Sequence, residues 1–370
     1  MRPAAYAEIN LDAARHNLLK VRSCVPQAKV MAVIKANAYG HGLLRMAEAF
    51  DGADAFAVAR VDEGVRLRKA GITNRIAVLQ GFTHAEELQC LIDYQLEAIA
   101  HSYPQLELIE SWQGQESLAI WLKIDTGMNR LGFKTKDVSL VHQRLKQCEI
   151  IKKPINLITH LASADDKTNA FTTQQIKLFN DVAAVFEGER SIANSAGILA
   201  WQDAISDWVR PGIMLYGISP FPDSTASKLG LEPVMSLHSK LIAVKPVEKG
   251  ESVGYGNSWV CDKTTTLGVV AIGYGDGYPR HAKQGTPVLL NGQRVPLIGR
   301  VSMDMITVDL TTQPDAKPGD KVTLWGDGLA VEEIAECADT IPYTLVCGVT
   351  QRVWFVETSA LLTQEENTYK

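Results

Sequence analysis

Cysteine is scarce in this chain and scattered. The six residues at positions 24, 90, 148, 261, 337 and 347 form no C-x-x-C pair. That argues against a disulfide framework or a thiolate metal site and fits a reducing compartment. The histidines at 16, 41, 84, 101, 142, 238 and 281 have no metal-ligand spacing either, so no metal is expected. Long apolar runs are also missing; none approaches the ~20 residues of a membrane span. The first ten residues carry one positive charge and no apolar core, which reads as no signal peptide and predicts a cytoplasmic protein. Neither sign of charge dominates: 37 Lys and Arg against 42 Asp and Glu leave a net charge of -5. There is no electrostatic footprint for nucleic acid or an anionic membrane. Repeats and low-complexity segments are absent, and no G-x-G-x-x-G follows the first strand, which opposes a dinucleotide fold.

What is present is an ordinary globular composition, 46% hydrophobic over 370 residues, long enough for about two domains. The chain is organised around Val30-Met31-Ala32-Val33-Ile34-Lys35, a short apolar strand ending in a lysine, followed by a turn with Gly40 and Gly42. Most lysines are exposed. One at the end of a buried strand must be paired, neutralised or covalently linked, and in α/β folds the C-terminal strand ends carry the chemistry.

Tyr6 to Leu11 reads as a strand, and Asp12 can cap the helix behind it. After the lysine strand, short apolar segments alternate with helical ones. Candidate strands are Ala55–Val58, Ile76–Leu79, Leu96–Ala100, Ala119–Ile124, Asn156–Thr159, Ser191–Ala193 and Ile213–Tyr216. With the lysine strand they make eight, which suggests a closed (β/α)8 barrel, although the pattern alone does not separate that from an open doubly wound sheet. Ser219-Pro220-Phe221-Pro222-Asp223-Ser224 reads as a linker. Beyond about residue 230 strands dominate: Met235–Val244, Thr266–Ile272, Thr286–Leu290, Gln293–Ile298, Met305–Leu310 and Lys321–Trp325, with only Val331–Cys337 helical. Asn291-Gly292 between two of them is a hairpin signal. The expected architecture is therefore α/β plus β, a TIM-like barrel over 12–228 and a mostly-β domain over 229–370. The polar tail Thr363–Lys370 is expected to fray.

The lysine segment Val33-Ile34-Lys35-Ala36-Asn37-Ala38-Tyr39-Gly40-His41-Gly42 resembles the lysine motif that binds pyridoxal phosphate (PLP) in the alanine racemase family. The resemblance continues in order through Lys123-Ile124-Asp125-Thr126-Gly127-Met128-Asn129-Arg130, Thr159-His160-Leu161-Ala162, Asn194-Ser195-Ala196, Val209-Arg210-Pro211-Gly212-Ile213, Gly273-Tyr274-Gly275-Asp276-Gly277 and Gly299-Arg300-Val301-Ser302-Met303-Asp304. It covers nearly the whole chain and is nearest to the biosynthetic bacterial type. It implies that residues 1–11 join the C-terminal domain as a strand, and that two protomers form a head-to-tail homodimer with shared active sites.

Racemisation removes the α-proton from one face and returns one to the other, so two acid–base groups are needed on opposite faces. By resemblance Lys35 tethers PLP as a Schiff base and serves one face, and Tyr274 of the partner subunit serves the other. A free tyrosine titrates near ~10 and needs nearby positive charge to act as a base; His160 and Arg210 match the residues that supply it. Arg210 also matches the arginine facing the pyridine nitrogen, which its permanent charge keeps unprotonated. Tyr39, Ser195, Gly212, Ile213 and Tyr343 match phosphate contacts, with Asn194 beside them; the family usually continues Tyr-Glu where this chain has Tyr343-Thr344. Arg130 matches the arginine that reaches the PLP phenolic oxygen and the substrate carboxylate. Met303 matches a residue lining the substrate site from the partner, and Lys123 a lysine often carbamylated.

The activity this implies is interconversion of L- and D-alanine, supplying D-alanine for peptidoglycan. Three other readings stay open at this stage. A broader racemase would accept serine, a barrel-type PLP decarboxylase would want an acid in place of Arg210, and a single-barrel PLP carrier would lack the domain that holds Tyr274.

Overall fold

The computed structural model describes residues 3–360; the tail Thr363–Lys370 lies outside them. Parallel strands Lys29–Val33, Ala55–Val58, Arg75–Val78, Glu97–Ala100, Leu118–Asp125, Ile151–Ile158, Arg190–Ser191 and Trp208–Val209 pair in that order. Trp208 returns to Lys29 and closes the barrel. The strands are short apolar runs because both faces are covered, the inner by side chains and the outer by helices. At the N-terminal rim the buried carboxylate of Glu97, 7% exposed, is paired: it accepts from Arg75 Nε at 2.5 Å and from Trp121 Nε1 at 2.7 Å. That leaves the opposite rim, where Lys35 emerges, free for chemistry.

Two expectations fail here for identifiable reasons. The last barrel strand is Trp208–Val209, and Ile213–Tyr216 is a 3-10 turn. All four residues of that turn are buried, and burial alone makes a short apolar run look like a strand. Pro211-Gly212 interrupts the extended chain before it. The first helix, Leu11–Cys24, is capped by Asn10 and not by Asp12: Asn10 Oδ1 accepts from the backbone of Asp12 and Ala13, each at 3.0 Å. Asp12 instead receives Arg15 and the backbone N–H of Ala360.

The second domain is an antiparallel ring. Met235–Val247 pairs with Thr265–Val270 on one side and Lys321–Trp325 on the other. The ring closes through Ile306–Asp309, Gln293–Ile298 and Pro287–Leu290. Asn291 and Gly292 both have positive φ, the backbone a type I′ hairpin needs. Tyr6–Asn10 lies beside Met235–Val247 in this sheet and pairs in parallel with Trp354–Thr358. That last strand and the helix Pro342–Cys347 were not anticipated; Val331–Cys337 is not the only helix of the domain. Pro342 opens its helix at the first position, where the missing N–H costs nothing.

Candidate active site

Lys35 leaves the barrel one residue after Ile34, whose N–H still bonds to Ala57 O at 2.9 Å. The backbone then turns left-handed: Ala36, Asn37, Ala38 and Tyr39 all have φ of 53–54°. For L-residues this costs roughly 1–2 kcal/mol each, so the segment persists only because its surroundings hold it. Asn37 Oδ1 accepts from Leu43 N–H at 3.0 Å, and Asn37 O accepts from Gly42 N–H at 2.9 Å. His41 is fully buried, with Nδ1 against Tyr39 O at 2.9 Å and Ala38 O at 3.1 Å. Two carbonyl acceptors require the proton on Nδ1, and burial pulls this imidazole down to about 4. The result is that Lys35 and Tyr39, four residues apart, enter the same cavity.

That cavity measures about 980 Å³ and lies where the barrel rim meets the second domain. Lys35, Tyr39, Lys123, Arg130, His160, Asn194, Ser195, Arg210, Gly212, Ile213 and Tyr343 all line it, with Asp165, Glu332 and Glu336 as its acids. Ser195 Oγ accepts from Gly212 N–H at 2.9 Å, and a Cβ on Gly212 would fall 2.5 Å from the Tyr39 hydroxyl. The absence of a side chain at 212 thus leaves the room that the Tyr39 hydroxyl occupies. Tyr39 stacks on Tyr216 with ring centroids 4.7 Å apart, and Tyr343 leans on it at 5.9 Å. Burial raises the Tyr39 hydroxyl far above its usual range and that of Tyr343 to about 12, so both remain O–H donors.

Arg210 is 4% exposed, yet every hydrogen-bond partner it has among the described residues is neutral. It donates to Ser191 Oγ at 2.5 Å, Thr159 O at 2.6 Å, Ile192 O at 3.2 Å and His160 Nδ1 at 3.3 Å. Desolvation without a counter-ion brings its guanidinium down to about 10. Burial and then Arg210 push His160 well below its normal value, so the imidazole is neutral. Lys123 is lowered to about 8, chiefly by burial, then by Arg210, Arg130 and Lys35. Lys35 is lowered by burial and by Arg130. A nest of cations short of counter-charge suits a phosphate and a carboxylate.

Arg130 is carried on a turn built by Asp125, whose carboxylate accepts from Gly127 and Asn129 N–H at 3.0 Å each and from Lys134 Nζ at 2.6 Å. Tyr274 and Met303 do not line the cavity. They lie exposed, 39% and 53%, on the second domain. Gly275 N–H donates to Met303 O at 2.8 Å, and Tyr274 N–H to Ser302 O at 3.0 Å, so the two turns are bonded to each other. Asp276 caps the turn through Gly273 N–H at 2.9 Å. Asp125, Glu63 and Asp276 act through backbone N–H groups, and the sequence reading missed that role in all three. The available signal was an acidic residue beside a glycine turn or in the first turn of a helix.

A parallel barrel with a strand-end lysine in a cationic cavity, joined to an antiparallel domain, defines a class of two-domain barrel proteins. Residues 9–220 match the family described as alanine racemase, N-terminal domain, and residues 234–356 the alanine racemase C-terminal domain. The alanine racemase of Aeromonas hydrophila is 50% identical over 95% of this chain and 98% of its own length; that of Coxiella burnetii is 50% identical over the same shares. The crystal structure of the biosynthetic alanine racemase from Pseudomonas aeruginosa, 42% identical, superposes with a TM-score of 0.94 over 97% of this chain and all of that one. That of Bacillus anthracis with bound L-Ala-P, 30% identical, does so at 0.85 over 97% of this chain and 96% of that one. The chain belongs to the alanine racemase family. Among the described residues no helix is long and apolar enough to cross a membrane.

Proposed function

We propose that this protein interconverts L-alanine and D-alanine with PLP as cofactor, acting as a homodimer whose sites are shared between subunits. The observation that carries the reading is Lys35 at a barrel-strand exit in a cavity with Lys123, Arg130 and Arg210. The names of the relatives support alanine as substrate. The cradle of Tyr39, Ser195 and Gly212 fits a phosphate, because it brings the Tyr39 and Ser195 hydroxyls together at a position where a Cβ would collide. In this reading Lys35 Nζ holds the cofactor covalently. Tyr39, Ser195, Gly212, Ile213 and Tyr343, with Asn194 beside them, would hold its phosphate, and Arg210 with His160 would tune its ring. When bound, PLP supplies an electron sink that makes the α-proton of an amino acid acidic.

The remaining work falls to side chains. Arg130 binds the substrate carboxylate with its planar fork. Lys35 Nζ, freed when the substrate amine takes its place on the cofactor and biased toward its neutral form by burial and Arg130, would take or return the proton on one face. Tyr274 Oη of the second protomer serves the other face, and Met303, tied to the Tyr274 turn, narrows the space beside the substrate. Arg210 favours a deprotonated group opposite its guanidinium and so limits charge delocalisation. Lys123, titrating at about 8, has enough free amine near neutrality to react with CO2. An N–C bond forms, one proton leaves, and the resulting carbamate is an anion beside Arg130 and Arg210. D-alanine made this way suits bacterial peptidoglycan synthesis in the cytoplasm.

Incubation of the holoenzyme with L-alanine in D2O, followed by chiral chromatography and mass analysis, tests the reading. D-alanine carrying α-deuterium is expected. Exchange without D-alanine would mean that only one face is served and would sink the two-base assignment.

A further inference from the structure

The left-handed turn after Lys35 is held from outside by a residue with no assigned role. Glu63 sits in the first turn of the helix Val61–Lys69 and is 6% exposed. Its Oε2 accepts from Ala59 N–H at 2.8 Å and Arg60 N–H at 3.2 Å, as a residue capping that helix does. Its Oε1 is directed elsewhere, to the N–H of Ala36 at 2.7 Å. Capping needs only the first oxygen. The second joins one barrel strand exit to the next and ends on the amide immediately after Lys35, where the left-handed backbone begins.

We propose that Glu63 is a positioning residue for Lys35: its carboxylate fixes the left-handed turn that aims Lys35 and Tyr39 into the cavity. This rests on the reading of Lys35 as the cofactor tether. The groups that face the amine are Arg130, Arg210, Lys123, His160 and the thiol of Cys347. The arginines favour the neutral amine, whereas Glu63 favours the charged one; Cys347, its thiol pushed up by burial, stays uncharged. Glu63 thus combines two effects on one atom, direction through the backbone and charge through space.

Glu63→Gln keeps the shape but sets an NH2 against either Ala36 or the Ala59 and Arg60 pair. In the holoenzyme, amide exchange across residues 35–40 should quicken roughly tenfold, the loss expected for a hydrogen bond to a charged group. The pH at which the lysine-linked cofactor absorbance titrates should shift. kcat should fall at least ~tenfold with KM within about threefold, because the tether is misaimed while substrate contacts remain. Ala36→Gly in the same chain accepts the left-handed backbone without strain and should restore part of the lost kcat and slow the exchange again. A folded Glu63→Gln enzyme with unchanged exchange and an unchanged absorbance titration would overturn the proposal. So would failure of Ala36→Gly to rescue. If Glu63→Gln alone does not fold, the double variant carries the same test: recovery of fold and absorbance supports the proposal, and no recovery counts against it. Borohydride reduction of the wild-type holoenzyme followed by peptide mass analysis separates the underlying reading: the adduct must lie on Lys35, and an adduct elsewhere would remove the tether itself.

Discussion

Nη2 of Arg210 stands 3.3 Å from Nδ1 of His160. A guanidinium only donates, so Nδ1 must accept and the imidazole proton sits on Nε2. Two effects hold the ring neutral, burial first and Arg210 second. In Arg210→Met the His160 titration should therefore move up but stay below its ordinary value, because the larger cause remains. NMR of 13C-labelled histidine, assigned with His160→Asn, reads this directly. Loss of a buried charged donor set should also lower kcat/KM by at least ~tenfold. An unmoved His160 would mean that Arg210 does not act on it.

Gly212 and Tyr39 form the second testable contact. A methyl at 212 would lie 2.5 Å from the Tyr39 hydroxyl and 3.2 Å from its ring carbon, so Gly212→Ala must displace the tyrosine. PLP affinity of the apoprotein, measured by equilibrium dialysis, should fall at least ~tenfold, as expected when a phosphate loses a directed donor. Tyr39→Phe should weaken binding in the same direction without a clash. Unchanged affinity in both would remove Tyr39 from the phosphate site.

Strand–helix alternation and the lysine motif made the barrel legible in the sequence, since both depend on local pattern. Ile213–Tyr216 was misread because a fully buried turn and a buried strand have the same composition. The helix Pro342–Cys347, which brings Tyr343 to the cavity, is too short to show a helical period. Residues named by their chemistry, such as Lys35, Arg210 and His160, were found by motif. Glu63 and Asp125 were not, because what matters about them is which backbone amides they reach, and only the folded chain brings those amides within range.

Lys123 carries a prediction about stability. Its folded value, about 8, lies below the ordinary 10.5, with burial as the first cause. Between these values the unfolded chain binds more protons than the folded one, so stability rises with pH across that window. The penalty is fully present below pH 8 and disappears above the unfolded value. Lys123→Met should thus stabilise the apoprotein at pH 7, by roughly 1–3 kcal/mol, and the difference should shrink through pH 8 to 10.5. Denaturant titrations at several pH values check it in CO2-free buffer. A difference that is flat in pH would show that Lys123 is not desolvated. In 13C-bicarbonate, a new carbamate resonance absent from Lys123→Met would mark the modification.

Tyr274 and Met303 are exposed and absent from the lining of their own cavity, whereas Lys35 lines it. Their turns are locked to one another: Thr350 Oγ1 donates to Gly275 O at 2.9 Å, and Arg352 bridges Asp276 at 3.3 Å and Asp304 at 2.7 Å. A preformed, outward-facing pair of this kind is suited to completing a second copy's site in a symmetric dimer. Lys35→Ala and Tyr274→Ala should each be nearly inactive alone. After subunit exchange at equal amounts, half of the dimers are mixed, and each mixed dimer has one site with both residues intact. Activity should then return to about a quarter of wild type, as two-fold symmetry requires. No recovery, with mixed dimers verified by mass spectrometry, would place both residues in the same subunit's site or remove Tyr274 from the reaction.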